Sequence, residues 1–249
     1  CTPSTSDVVI TNDVQPTANA GTGGDICGIG AGNPFTFTAT AATGTGTWSL
    51  TSGPGTPTYG DINTENTTVT VDAYGTYVFR WTDVNGTCSD FDEITVNFFE
   101  NPTVAVAGTN IDQCNTSTFT MAANAPTVGT GAWTVIAGTA TITNTTSPTT
   151  TVTGVTAGNS ATLRWTISNG NCTPSTSDVV ITNDVQPTAN AGTGGDICGI
   201  GAGNPFTFTA TAATGTGTWS LTSGPGTPTY GDINTENTTV TVDAYGTYV

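Results

Sequence analysis

The sequence predicts an all-β protein: tandem immunoglobulin-like β-sandwich domains of about seven strands each, set end to end as a rod. Three observations predict it. Short runs with strict two-residue alternation recur along the 249 residues, the chain repeats itself, and no stripe of helical period interrupts the strands.

The alternation is clearest between residues 16 and 101. FTFTAT (35–40), GTWSL (46–50), TTVTVD (67–72), TYVFRWTD (76–83) and DEITVNF (92–98) each place apolar side chains on one face. Gly, Pro, Asn and Asp stand between them as turn residues. An opening strand near 16–20 and a short one near 56–60 complete the set. Tyr77, Phe79 and Trp81 share one strand face and Val69 with Val71 another, so these are the expected core, matched later in the chain by Leu163 and Trp165.

The repeat fixes the domain organisation. Residues 172–249 reproduce residues 1–78 without a change, which gives a period of 171 residues. Inside the period lies a weaker repeat. GTGTWSL (44–50) echoes GTGAWTV (129–135), VFRWTDVNGTC (78–88) echoes TLRWTISNGNC (162–172), and QPTANAG (15–21) echoes NPTVAVAG (101–108). The chain therefore reads as the C-terminal end of a B-type repeat (1–15), a repeat A (16–101), a repeat B (102–186) and a truncated second copy of A (187–249). It opens on Cys1 and stops at Val249, inside a strand of the first copy, so it is expected to be a section of a longer array. The links TNDVQPT (11–17) and FFENPT (98–103) are short and carry proline, which favours a stiff rod over beads on a string.

Six cysteines fit the same frame. Repeat A has Cys27 and Cys88 and repeat B has Cys114 and Cys172, at nearly equal spacings. The economical pairing is one bridge inside each repeat, Cys27–Cys88 and Cys114–Cys172, pinning one end of each sandwich. Cys1 and Cys198 then find partners outside the visible chain. Paired cysteines place the protein outside the cytosol.

Composition excludes whole classes of chemistry. There is no His, the only basic residues are Arg80 and Arg164, and Lys is absent. Imidazole and amine bases, Schiff-base lysines and Ser-His-Asp or Cys-His sites cannot be assembled, nor can a Lys–Asn isopeptide crosslink. No catalytic residue and no cofactor is expected. A net charge of −16 leaves nothing to neutralise phosphates, so nucleic acid is not an expected partner. No apolar run is long enough for direct membrane insertion. About a quarter of the residues are Thr, which is suited to strands with one wet face.

A few side chains merit weighing as sites. Asp25, Asp90 and Asp92 would gather near the expected disulfide end and form a calcium site, against the plainer reading of a solvated edge strand. Asp61, Asn63 and Glu65, with Asp72 further on, resemble the start of a calcium loop, but Asn66 stands where such a loop needs Gly, and a turn leading into a strand reads better. Arg80 and Arg164 occupy equivalent positions, which points to a salt bridge with a neighbouring-strand carboxylate or stacking on an aromatic ring, with a ligand contact as the alternative. Trp48, Trp133 and Trp219 recur at one strand position, either as core anchors or as exposed carbohydrate platforms.

PTANAGTGGDIC, GTGTWSL, SPTTTVTG and the FRWT/LRWT phrases followed by NG-x-C and TPSTSDVVITND resemble the tandem Ig-like/PKD-like repeats of giant Bacteroidetes cell-surface adhesins, including those linked to gliding motility. The likeness spans the whole chain. It implies type IX secretion and display as a long extracellular filament, anchored at or released from the cell surface. Its expected partners are neighbouring repeats of the same chain, other copies in a filament, and a surface polysaccharide or substratum gripped by regions elsewhere. The expected role is structural and adhesive rather than enzymatic. The competing expectations are a carbohydrate- or cation-binding repeat module and accessory repeats of a larger secreted enzyme.

Overall fold

A computed structural model describes all 249 residues. Repeat A contains seven strands: β1 (Gly24–Cys27), β2 (Phe35–Thr36), β3 (Thr45–Ser52), β4 (Pro57–Tyr59), β5 (Thr68–Val71), β6 (Gly75–Asn85) and β7 (Cys88–Phe99). They form a four-stranded sheet in the order β1–β7–β6–β3 and a three-stranded sheet in the order β2–β5–β4. Every pairing is antiparallel except β1 with β7, which is parallel. Repeat B reproduces this plan with β8 (Ile111–Cys114), β9 (Thr118–Thr120), β10 (Thr130–Ala137), β11 (Thr141–Ile142), β12 (Thr151–Thr153), β13 (Asn159–Ser168) and β14 (Ser175–Asp184). Its sheets run β10–β13–β14–β8 and β11–β12–β9, and β8 again lies parallel to the last strand. Two facing sheets with this strand order are an immunoglobulin-like sandwich. No helix is long and apolar enough to cross a membrane.

The opening strand differs from expectation. Residues 16–20 form no ladder, because side chains take the place of a partner strand: Ala18 and Ala20 donate their N–H groups to the Asp90 and Asp92 carboxylates, each at 2.9 Å. The first laddered strand is β1, further along. In repeat B, Ser175 and Ser177 hydroxyls accept the equivalent bonds from Ala105 and Ala107.

Each repeat has its own core of 13 buried apolar residues. In β6, Tyr77, Phe79 and Trp81 point inward, and Trp81 lies directly opposite Trp48 of β3 with ring centroids 5.2 Å apart. Phe37 stacks on Trp48 with ring centroids 3.8 Å apart. Trp133 and Trp165 meet at the same 5.2 Å in repeat B, with Met121 packed into that core.

Two identical stretches behave differently within one chain. Residues 175–184 form β14, whereas residues 4–13, with the same sequence, form no strand: Val8 is 82% exposed and its twin Val179 only 2%. Likewise residues 187–249 build only a three-stranded sheet, from β15 (Phe206–Thr207), β16 (Thr229–Tyr230) and β17 (Thr239–Thr241). Among these residues the counterpart of β3 meets only Val249, through backbone bonds with Thr222 and Ser223, and the counterpart of β1 lies in no ladder. Strand formation here depends on cross-strand partners and burial rather than on intrinsic propensity.

Candidate functional site

The chemistry-bearing feature of the molecule lies between the repeats. Strand β1 brings Cys27 to the far end of repeat A, opposite Phe99 in the parallel ladder. The hairpin joining β13 to β14 carries Asn169, Gly170, Asn171 and Cys172 at its tip and reaches back from repeat B to that end. Cys27 and Cys172 are bridged, with Cα atoms 5.4 Å apart and a sequence separation of 145.

The bridge sits in a bonded frame. Asn169 donates its side-chain amide to the Glu100 carbonyl at 2.7 Å. Asn171 donates to one oxygen of Asp25, whose other oxygen accepts from Asn97 at 2.8 Å. Gly170 adopts φ 54° beside the Phe99 ring, where an added Cβ would come within 2.7 Å of ring atoms. Gly is thus required twice over at this turn, for its backbone and for the close approach. Behind Cys27, the Gly28 N–H binds the Phe99 carbonyl at 2.9 Å with φ 94°, which turns the chain away from the ladder.

The pairings expected inside each repeat are overturned. Cys88 opens β7 and Cys27 lies opposite its last residue, Phe99. At about 3.4 Å per residue of strand, they stand roughly 35 Å apart at opposite ends of one sheet, far beyond the reach of a disulfide. Cys114 lies opposite Asp184 at the end of β14, while Cys172 precedes that strand, so the same separation applies in repeat B. Cys88 and Cys114 are therefore unbridged in this chain, as are the exposed Cys1 and Cys198.

The proposed calcium ligands do not converge either. Asp90 and Asp92 lie near the start of β7 and hold the Ala18 and Ala20 amides, whereas Asp25 pairs with Asn97 near its end and binds repeat B. No group of three or more His, Cys, Asp or Glu side chains comes together anywhere. In the other acidic segment, Asp61 caps its own turn by accepting from Asn63 N–H and the Thr64 hydroxyl, and Asp72 accepts from Thr56 N–H.

Arg80 does both things expected of it. It binds Glu93 at 2.8 Å and lies 3.9 Å over the Phe91 ring. Arg164 forms a two-point pair with Asp178 at 2.7 and 2.9 Å, which holds the Asp178 carboxyl below the usual carboxylate range. Trp48 and Trp133 are buried core anchors, so neither offers a flat ring to a sugar. Trp219, in the incomplete copy, is partly exposed.

Sequence reasoning missed two buried polar residues. Asp83 is 1% exposed and accepts the Thr43 and Gly44 amides at 2.6 and 3.1 Å. Asn183 donates to the Thr116 and Val155 carbonyls and accepts from Thr116 N–H. The signal for Asp83 was present: it continues the inward alternation of Tyr77, Phe79 and Trp81.

No family model matches the chain, and no curated protein matches it. Solved structures of tandem immunoglobulin domains align with the chain at low identity. Domains 3–5 of Drosophila OTK align at a TM-score of 0.49 and 12% identity, covering 70% of this chain and 61% of theirs. The I67–I69 fragment of the titin I-band aligns at 0.47 and 11%, covering 95% and 90%. Sidekick-1 domains 1–5 align at 0.45 and 12%, covering 80% and 45%. This chain thus spans about three fifths of the OTK fragment's length.

Proposed function

We propose that this chain is a structural and adhesive repeat region of an extracellular filament, a spacer that carries tension between an anchor and a ligand-binding region elsewhere. The observation that carries this reading is the Cys27–Cys172 bridge, which joins successive repeats instead of closing one of them. A bridge within a domain strengthens that domain alone. A bridge between domains carries tension from Cys27 straight to Cys172, so the chain enclosed between them is spared the load, a property suited to a load-bearing stalk.

The disulfide also favours an oxidising, extracellular setting. Acidic surfaces keep long parallel rods apart and soluble. The finer reading follows from the sequence resemblance: a Bacteroidetes surface adhesin exported by the type IX route, serving attachment or gliding. Burial of Trp48 and Trp133 weighs against a sugar-binding role for repeats A and B.

The test is to shorten and lengthen the native filament by whole 171-residue periods. Reach above the cell surface, measured by electron cryo-microscopy, should change in proportion, while ligand capture by the cell is retained. Capture of surface polysaccharides by the isolated chain, or loss of attachment on removal of a single period, would contradict the spacer reading.

A further inference from the structure

Cys88 and Cys114 are unbridged, but each already occupies one half of a junction like the one that Cys27 and Cys172 complete. We infer that they are the two halves of a second staple, so that in a continuing array every junction is covalently closed and the repeats form a disulfide ladder.

The half-site at Cys88 is assembled in this structure. Residues 1–15 have the sequence of the end of repeat B, and the hairpin tip of repeat A docks on them as the tip of repeat B docks on repeat A. Asn85 donates to the Val14 carbonyl at 2.9 Å, as Asn169 does to Glu100. Val14 and Glu100 each stand two residues before the linker proline, Pro16 or Pro102. Thr87 N–H binds the Asp13 carboxylate at 3.0 Å, and the Cys88 thiol faces the Asp13 carbonyl at 3.9 Å. The Cys172 sulfur lies 3.8 Å from the Glu100 carbonyl, one residue further along the matching segment.

The half-site at Cys114 is assembled as well. Cys114 lies opposite Asp184 in the parallel β8–β14 ladder, as Cys27 lies opposite Phe99. Asn115 N–H binds the Asp184 carbonyl at 2.9 Å, as Gly28 binds Phe99. Asn115 is the only non-glycine residue with a left-handed backbone, φ 45°, and it occupies the position of Gly28. A non-Gly residue adopts that conformation at a cost, which is met here so that Cys114 is presented as Cys27 is.

The spacing closes the argument. The observed bridge spans 145 residues. Counting 145 residues on from Cys114 gives position 259 (114 + 145), which is Cys88 advanced by one 171-residue period (88 + 171). By the same rule Cys1 and Cys198 are the outer halves of staples of the Cys27–Cys172 kind. Each closure joins two sulfurs and releases two protons and two electrons. An oxidised low-molecular-weight disulfide accepts these and leaves as two thiols.

The test extends this chain by appending its own residues 79–100 after Val249, which completes the second repeat A and supplies the counterpart of Cys88. Both chains are oxidised in a glutathione buffer, alkylated, digested without reduction and mapped by mass spectrometry. In the 249-residue chain Cys114 should be alkylated fully. In the extended chain its alkylation should fall to near zero, with Cys114 linked to the appended cysteine and Cys88 still alkylated. Cys114→Ser in the extended chain should return the appended cysteine to the alkylated pool. The Cys27–Cys172 peptide from the same digest reports that the junction fold has formed. If that peptide is present and Cys114 remains alkylated, the ladder is refuted while the spacer function stands. If both links are missing, the staple geometry itself is wrong and both readings fall.

Discussion

Breaking the Cys27–Cys172 bridge should lengthen the chain's path under tension by a calculable amount. Pulled from its two ends, the oxidised chain transmits force from residue 27 directly to residue 172, so the residues between them carry none of it. The two cysteines are separated by 145 positions, and at about 3.5 Å per extended residue the hidden segment stores roughly 500 Å of contour. Optical tweezers with handles at residues 1 and 249 should therefore record a maximum extension about 500 Å longer in dithiothreitol, or in Cys27→Ser, than in the oxidised chain. The gain should appear as separate unfolding steps, because repeats A and B have separate cores. Cross-linking a loop of this length also restricts the unfolded chain, by about 5 kcal/mol on the chain-entropy model, so Cys27→Ser should unfold at lower denaturant. Two outcomes would refute the reasoning. Equal extensions in the two states would mean that no bridge closes the loop. Two independent reduction-sensitive segments of roughly 200 Å each would mean that the bridges lie inside the repeats after all.

Four smaller perturbations test the units themselves. Trp165→Ala removes a fully buried ring and should cost about 3–5 kcal/mol in urea unfolding; Trp165→Phe should cost much less, since the indole N–H has no partner to lose. Asp83→Asn keeps the shape but replaces an oxygen that accepts a backbone N–H with an amide that cannot, at about 1–3 kcal/mol on the same assay. Burial pushes the Tyr59 hydroxyl up to about 12. Because the folded value exceeds the unfolded one, near 10, its stabilising contribution is complete below that value and is lost as pH rises from there through the folded value. Burial also raises the Tyr77 hydroxyl, so absorbance at 295 nm should show late-ionising tyrosines, of which Tyr59→Phe removes one. The Asp178 carboxyl is held low by the Arg164 hydrogen bonds, so its contribution is present above the unfolded carboxylate value near 3.9 and fades as pH falls through the lower folded value. An Arg164→Gln variant should lack that part of the acid transition.

Much of the fold was legible because alternation in a half-buried strand is a direct print of the pleat. β6 reads inward at Tyr77, Phe79 and Trp81 in both the sequence and the structure, and the equivalent positions of Arg80 and Arg164 correctly announced one shared ion-pairing task. The opening strand was not legible. Residues 16–20 have strand-like sequence, but their amides are met by the carboxylates of Asp90 and Asp92, a substitution that local pattern cannot reveal. The two copies of TPSTSDVVITND make the same point: one is a strand and the other is not, so the difference lies entirely in what stands beside them.

The junction was hidden for a different reason. Cysteine spacing within the repeats is nearly uniform, and uniform spacing fits intra-repeat and inter-repeat bridges equally well, since a periodic chain offers each cysteine an equivalent partner one unit away. Only register separates the two. The parallel pairing of β1 with the end of β7 carries Cys27 to one pole of the sandwich, and the β6–β7 turn carries Cys88 to the other. Once the two cysteines of every repeat point toward opposite neighbours, a bridge inside a repeat would have to span its whole length, while a bridge between repeats needs only the contact that docking already makes. The sheet topology therefore decides the covalent connectivity, and any homologous repeat that keeps a parallel first strand ending in cysteine and an NG-x-C hairpin should staple to its neighbours and not to itself.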